Sequence, residues 1–300
     1  MIVRWTLLLF ILFVLPQGTI PGLLSAQPSE LHIFVTGDLH GFLLADSTVH
    51  HGGIVSLGRT LRETTRSLPD SSFLIFDTGD ALAYHYLSKV DSGRSVFKAM
   101  HDFNFAALVP GNLDFSYGHQ HLQNLANAVP SPVWLAANLV DSLKRPIFPP
   151  WHIFRRHTLR VAVIGICDPQ MRETVADGHL DGLLLLEPSA VLPGLLQEVR
   201  GRCDVLVVLS NLGAERNIRL AKSFPDIDLV LDHPQDEVPM ELTKVRFDQG
   251  HQAVSIVPAP ANALSVNHIV MQISRNEDGS LNKLVRVANE KSNSGSSEDE

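Results

Sequence analysis

Cysteine is almost absent: 300 residues carry only Cys167 and Cys203. A disulfide framework is therefore excluded as the source of stability. Cys167 ends an expected strand, residues 161–166, and Cys203 precedes the next, residues 205–209, with a helix between them. If the strands run parallel, the thiols lie at opposite ends of the sheet, roughly 17 Å apart for one strand length. That is beyond disulfide reach, so two free, buried cysteines are expected.

Basic clusters are missing as well. Lys and Arg total 24 against 32 Asp and Glu, a formal net charge of −8. Such a surface repels a nucleic-acid backbone, which argues against nucleic acid as a partner. No long apolar run occurs beyond the first residues, where Arg4 precedes residues 7–15 and Pro16, Gly18 and Pro21 then interrupt. Leu24-Ser25-Ala26 places small residues where a signal peptidase reads. This is the order of a secretory signal, and the run is short for a membrane span. Residues 1–26 are expected to be a signal peptide, with an uncleaved anchor as the bland reading. An exported protein, periplasmic or extracellular, with no membrane span after cleavage, follows from that expectation. Internal repeats are also lacking.

Hydrophobic residues make up 45 % and charged residues 19 %, a balance that supports a substantial core and argues against global disorder. Residues 27–290 are expected to form one domain and residues 291–300, rich in Ser and acids, a disordered tail. Short apolar runs at residues 32–36, 73–76, 106–109, 133–136, 161–166, 205–209 and 228–231 read as buried strands. Residues 54–66, 95–103, 119–128, 188–200 and 215–223 read as amphipathic helices between them. This alternation predicts an α/β fold with a largely parallel sheet and helical cover. After Met240 the helices stop, and residues 253–257, 266–273 and 284–287 read as a β-meander with a turn at Glu277-Asp278-Gly279.

In open α/β sheets the chemistry sits beyond the carboxyl ends of the strands. There the sequence places Asp38-Leu39-His40, then Gly79-Asp80, then Gly111-Asn112-Leu113-Asp114, then Ser210-Asn211, then Asp232-His233-Pro234-Gln235. Singly each has a bland reading: Gly-Asp is a turn, Asp-x-His a surface loop, and Asn after Gly a helix cap. Together they set carboxylate, imidazole and amide groups on one rim, a set able to hold hard or borderline divalent cations. Two such cations can clamp the attacking and leaving oxygens of a phosphoester.

The order Asp-x-His, Gly-Asp, Gly-Asn-x-Asp resembles the calcineurin-like metallophosphoesterases, and most of all the amino-terminal catalytic domain of the 5'-nucleotidases. Residues 111–118, Gly-Asn-Leu-Asp-Phe-Ser-Tyr-Gly, resemble that branch's Gly-Asn-His-Glu-Phe-Asp-Tyr-Gly block. The resemblance runs from about His32 to Ala288. It implies a four-layer αββα sandwich, two mixed β-sheets flanked by helices. It also implies two divalent metals and a phosphoester or nucleotide-like small-molecule substrate. The first metal would be held by Asp38, His40, Asp80 and the second histidine of a Gly-His-x-His block. The second would be held by Asp80, Asn112, a mid-chain histidine and the first histidine of that block.

Three family histidines are replaced here. Leu113 stands at the catalytic histidine, Asn211 at the mid-chain one and Gln235 at the second of the block, while His233 keeps the first. Amide oxygens preserve the ligand charge, so Mn²⁺, Mg²⁺ or Ca²⁺ would be favoured over Zn²⁺, with weaker binding. Leu113 carries no proton, and a lost general acid costs roughly 10²–10⁴ in rate. By the same resemblance, the family's carboxy-terminal nucleoside-binding domain is not expected within these 300 residues. Two readings stay open: a metal-dependent phosphoesterase with a weakened site, and a non-catalytic scaffold that binds a protein partner. A third is a subunit completed by another chain. His50, His51, His85, His119 and His121 could replace a missing group, against the bland reading of solvated histidines. Asp77 is expected to bond nearby backbone amides, Asp114 to orient rather than replace the missing histidine, and Trp134 and Trp151 to pack.

Overall fold

The computed structural model describes residues 29–233, 242–247, 251–276 and 278–291. Residues 1–26, expected to be a signal peptide, Gln235, Glu277 and nearly all of residues 291–300 lie outside them. Among the described residues, no helix is long and apolar enough to cross a membrane.

Two six-stranded sheets face each other. In the first, β1 (Ser29–Thr36), β2 (Phe73–Asp77), β3 (Ala107–Leu108) and β4 (Val133–Trp134) run parallel. A hairpin of β13 (Ser265–Arg275) and β14 (Leu281–Lys291) adds antiparallel to β1. Two short strands, β5 (Leu139–Asp141) and β8 (Leu183–Leu185), pair by themselves. In the second sheet, β7 (Leu159–Ile166), β9 (Val205–Ser210), β10 (Leu229–Asp232) and β12 (Val254–Pro258) run parallel. Its edges are antiparallel: β6 (Trp151–Arg156) and β11 (Thr243–Val245).

The period-2 rule of strands explains the layering. In the second sheet Val161, Val163, Val205, Val207 and Leu209 join the core shared with the first sheet. Their alternates Ala162, Ile164, Leu206 and Val208 pack instead with Leu192, Leu196 and Leu220. Those residues come from α5 (Pro188–Val199) and α6 (Ala214–Ser223). On the other flank α1 (Gly53–Thr65), α3 (Arg94–Asp102) and α4 (His119–Ala128) bury Leu57, Val96 and Leu122 in the shared core. The result is the expected αββα sandwich.

The sheets are mixed rather than largely parallel, because antiparallel strands close three of the four edges. The expected β-meander is divided between the sheets: β12 is inserted parallel to β10, and only β13 and β14 form a hairpin. Cys167 and Cys203 are free and buried. The parallel register sets Val161 against Val205 and Ile166 against Ser210, so the two thiols belong to opposite ends of that strand pair.

Candidate metal centre

The parallel strands of both sheets end on one rim, and the loops after them build the site. Asp38 and His40 follow β1, Asp80 follows β2, Asn112 follows β3, Asn211 follows β9 and His233 follows β10. All six line one open cleft of about 770 Å³.

The local backbone explains why these loops can present side chains inward. Asp38, His40 and Asp80 adopt positive φ values of 53°, 48° and 59°. Such conformations are uncommon for residues other than glycine and persist only where the surroundings enforce them. Here the loops lace together: Asp38 N–H donates to the Gly79 carbonyl at 3.0 Å, and His40 N–H to the Asp80 carbonyl at 2.9 Å. Gly111 lets the third loop approach; a Cβ there would meet Asp80 Oδ1 at 2.2 Å.

Asp114 is the organiser of this corner. It is 1 % exposed. Its Oδ2 accepts the N–H groups of Asp80 and Gly111, both at 2.9 Å, and its Oδ1 those of Ala81 and Leu82, both at 3.0 Å. Burial, followed by the Asp80 charge, pushes its carboxyl up to about 7, and the backbone donors pull the other way. Asp77 does similar work under the loop, accepting from Gly79 N–H at 2.9 Å and Thr36 Oγ1 at 2.7 Å. Ser210, Asn217 and Asp232 form a buried chain of hydrogen bonds at 2.7 and 2.6 Å that joins β9, α6 and β10. His233 N–H donates to the Ser210 carbonyl at 2.9 Å, which ties the histidine to the same chain.

His233 is the centre of the electrostatics. Its Nε2 stands 3.2 Å from Asp38 Oδ1 and 3.6 Å from Asp80 Oδ2. Its Nδ1 lies 3.2 Å from the Thr78 carbonyl. A carbonyl only accepts, so Nδ1 carries the proton and Nε2 is the atom turned to the carboxylates. Burial lowers the His233 pKa, but the hydrogen bond to Asp38 and the charges of Asp38, Asp80 and Asp77 outweigh it and raise it to about 9. Burial raises Asp38 in turn, yet His233 and His40 hold it at about 2. Asp80 is raised by burial. Asn211 Nδ2 donates to the same Thr78 carbonyl at 3.0 Å, which leaves the amide oxygen for a cation.

This donor set fits a divalent metal. One atom each from Asp38, Asp80 and His233 lies within 4.8 Å of the others, and His40 Nε2 lies 3.4 Å from Asp38 Oδ1. Carboxylate and amide oxygens with two imidazoles suit hard or borderline cations.

Other histidines fall elsewhere. His51 is 4 % exposed, stacked on Phe42 at 3.9 Å, and is not solvated. Its Nδ1 accepts from Gly53 N–H at 3.0 Å, and its Nε2 donates to the Asp38 carbonyl at 3.4 Å. Burial pulls its pKa down to about 4. His85 caps α2 (Tyr86–Asp91) through Leu87 N–H at 3.3 Å. His119 and His121 bond backbone carbonyls of His179 and Ser92 at 3.1 and 2.9 Å. His50 is exposed. None of the five lines the cleft. Trp134 is buried, and Trp151 opens the edge strand β6 under Arg202.

Another part of the cleft lining is a feature the sequence pattern did not bring forward. Asp168, Gln170 and Glu173 line it from the turn after β7. Asp168 pairs with Arg216 of α6. The signal was available: Asp168 lies just beyond a parallel strand's carboxyl end, as the residues at the other five strand ends do.

No protein-family model matches the chain. Over 245 residues it is 23 % identical to the 5'-nucleotidase of Vibrio cholerae, covering 74 % of this chain and 44 % of that protein. The 5'-nucleotidase precursor of Thermus thermophilus matches with a TM-score of 0.72 at 19 % identity, over 88 % of this chain and 54 % of that one. The chain is thus similar in sequence to proteins named 5'-nucleotidase. Its fold is the calcineurin-like phosphoesterase fold, shared with such a protein from Bacillus subtilis at a TM-score of 0.72 and 16 % identity, over 89 % of this chain and 92 % of that one. The chain spans under half the length of the Vibrio 5'-nucleotidase that it matches.

Proposed function

We propose that this chain is an exported 5'-nucleotidase-type phosphoesterase domain that binds divalent metal and hydrolyses a phosphoester with a weakened site. Asp38, His40, Asp80, Asn112, Asn211 and His233 would hold the metal, with Gln235 as a further ligand. Mn²⁺, Mg²⁺ or Ca²⁺ is favoured over Zn²⁺ because amides replace imidazoles. The observation that carries this reading is His233 Nε2, poised 3.2 and 3.6 Å from two carboxylates with its ring fixed by Thr78. When bound, two such cations activate water and stabilise charge on the phosphoryl oxygens. The chain's own part is to orient the ligands: Thr78 holds two of them, and Asp114 holds the loop that presents a third. Residues 1–26 as a signal peptide, residues 27–290 as the working domain and residues 291–300 as a tail complete the proposal, with a periplasmic or extracellular site of action.

Leu113 favours a second reading, a scaffold that binds metal or a protein partner without turnover. Hydrolysis of para-nitrophenyl phosphate with Mn²⁺ distinguishes the two. Activity in the wild type that disappears in His233→Ala supports the enzyme. Metal binding without turnover, in the wild type and in Leu113→His alike, supports the scaffold.

A further inference from the structure

Hydrolysis of a phosphoester leaves an oxygen that must depart with a bonding electron pair, and the residues directly after Asn112, Leu113 and Asp114, offer it no proton. Next to Asn112 stands Leu113, with an apolar side chain and its N–H committed to Asp80 Oδ1 at 2.7 Å. Asp114 follows, but it is 1 % exposed and its two oxygens face four backbone donors. His40 and His233 turn nitrogen toward Asp38, and as metal ligands both would give their lone pair to the cation. Elsewhere in the lining Asp168 is ion-paired with Arg216, Gln170 carries only an amide, Thr174 donates its hydroxyl to the Met171 carbonyl at 3.0 Å, and Glu173 is exposed to solvent. Both ring nitrogens of His51 are occupied by backbone groups.

We propose that the cleft acts on phosphoryl compounds whose leaving group departs as a stable anion, such as aryl, enol and acyl phosphates, and that Leu113 sets this limit. The inference rests on the metal-dependent reading above. The water oxygen forms a bond to phosphorus while the bond from phosphorus to the leaving oxygen breaks. The electron pair of that bond stays on the leaving oxygen. RO–PO₃²⁻ and H₂O thus give RO⁻ and H₂PO₄⁻, and the latter releases a proton to solvent. A delocalised aryl oxide tolerates this. An alkoxide is too basic and needs a proton as the bond breaks, which is what a positioned acid supplies.

The test is a series of esters of falling leaving-group basicity, from glycerol phosphate through phenyl phosphate to para-nitrophenyl phosphate, with the Mn²⁺-loaded full chain. Metal content and the affinity for inorganic phosphate are measured alongside by elemental analysis and calorimetry. The proposal expects kcat/KM to rise steeply along the series. In Leu113→His the ratio of alkyl to aryl turnover should increase by on the order of 10²–10⁴, the worth of a general acid, with phosphate affinity unchanged. Glycerol phosphate cleaved as fast as the aryl esters by metal-loaded wild type would overturn it. Metal-loaded protein that cleaves no ester would also overturn it. Absence of metal from the protein would instead remove the reading on which it rests. The wild-type series decides the matter even if Leu113→His fails to fold.

Discussion

The N–H of Asp80 donates to Oδ2 of Asp114 at 2.9 Å, while the residue before Asp114 returns an N–H to Oδ1 of Asp80 at 2.7 Å. Two successive strand-end loops are therefore clasped through one pair of carboxylates. Asp114→Asn presents an NH₂ where two of the four backbone donors now find an oxygen. Each donor left unpaired costs roughly 1–3 kcal/mol. A lower denaturation midpoint and a loosened metal site are expected. An unchanged midpoint in urea would contradict the organising role of Asp114.

His233 makes metal binding depend on pH. In the metal-free protein its pKa is raised to about 9, so at neutral pH a cation must displace a proton from it. Affinity should rise with pH up to about 9, and binding at pH 7 should release about one proton per chain, as ligand deprotonation requires. Calorimetry in buffers of different ionisation enthalpy counts that proton. The same shift bears on folding: His233 stabilises the metal-free protein fully below its ordinary value of 6.5, and this is lost as pH rises through about 9. Asp38 acts in the reverse sense, stabilising above 3.8 and losing its contribution as pH falls through about 2.

His51 should show the opposite histidine behaviour. Its folded pKa is about 4, below the unfolded value of 6.5. The unfolded chain therefore takes the proton first, and stability is lost as pH falls from 6.5 toward about 4. His51→Gln removes this contribution. Relative to that variant, the wild type should weaken across the window in denaturation experiments. A constant difference between the two proteins would contradict the burial of a neutral imidazole behind Phe42.

Asn211 offers a test of metal choice. An amide oxygen favours hard cations, and an imidazole shifts the balance toward Zn²⁺. Asn211→His should raise the affinity for Zn²⁺ more than that for Mn²⁺, measured by competition with a chelator. An equal change for both would place Asn211 outside the coordination sphere.

Much of this architecture was legible in the sequence because buried parallel strands write themselves as apolar runs that end in polar turns. Asp38, Asp80, Asn112, Asn211 and His233 each follow such a run, and the fold brings them to one cleft. Other features left no local trace. The strand β12 reads like β13, but which sheet receives it is decided by packing across the sandwich. The edge strand β6 was missed because its side chains are half-exposed without clean alternation. His51 reads as a loop histidine, and only the approach of Phe42 makes it a core residue. Asp168 stands beyond Cys167 with no histidine or glycine beside it to mark a ligand turn, and only the fold brings it to the cleft.

The central claim is that this rim holds metal, and elemental analysis tests it most directly. Protein equilibrated with Mn²⁺ and freed of unbound ion is compared with Asp80→Ala. The account predicts about two metals per wild-type chain, as a clamp on both reacting oxygens requires, and their loss in the variant. No metal in either protein would contradict it.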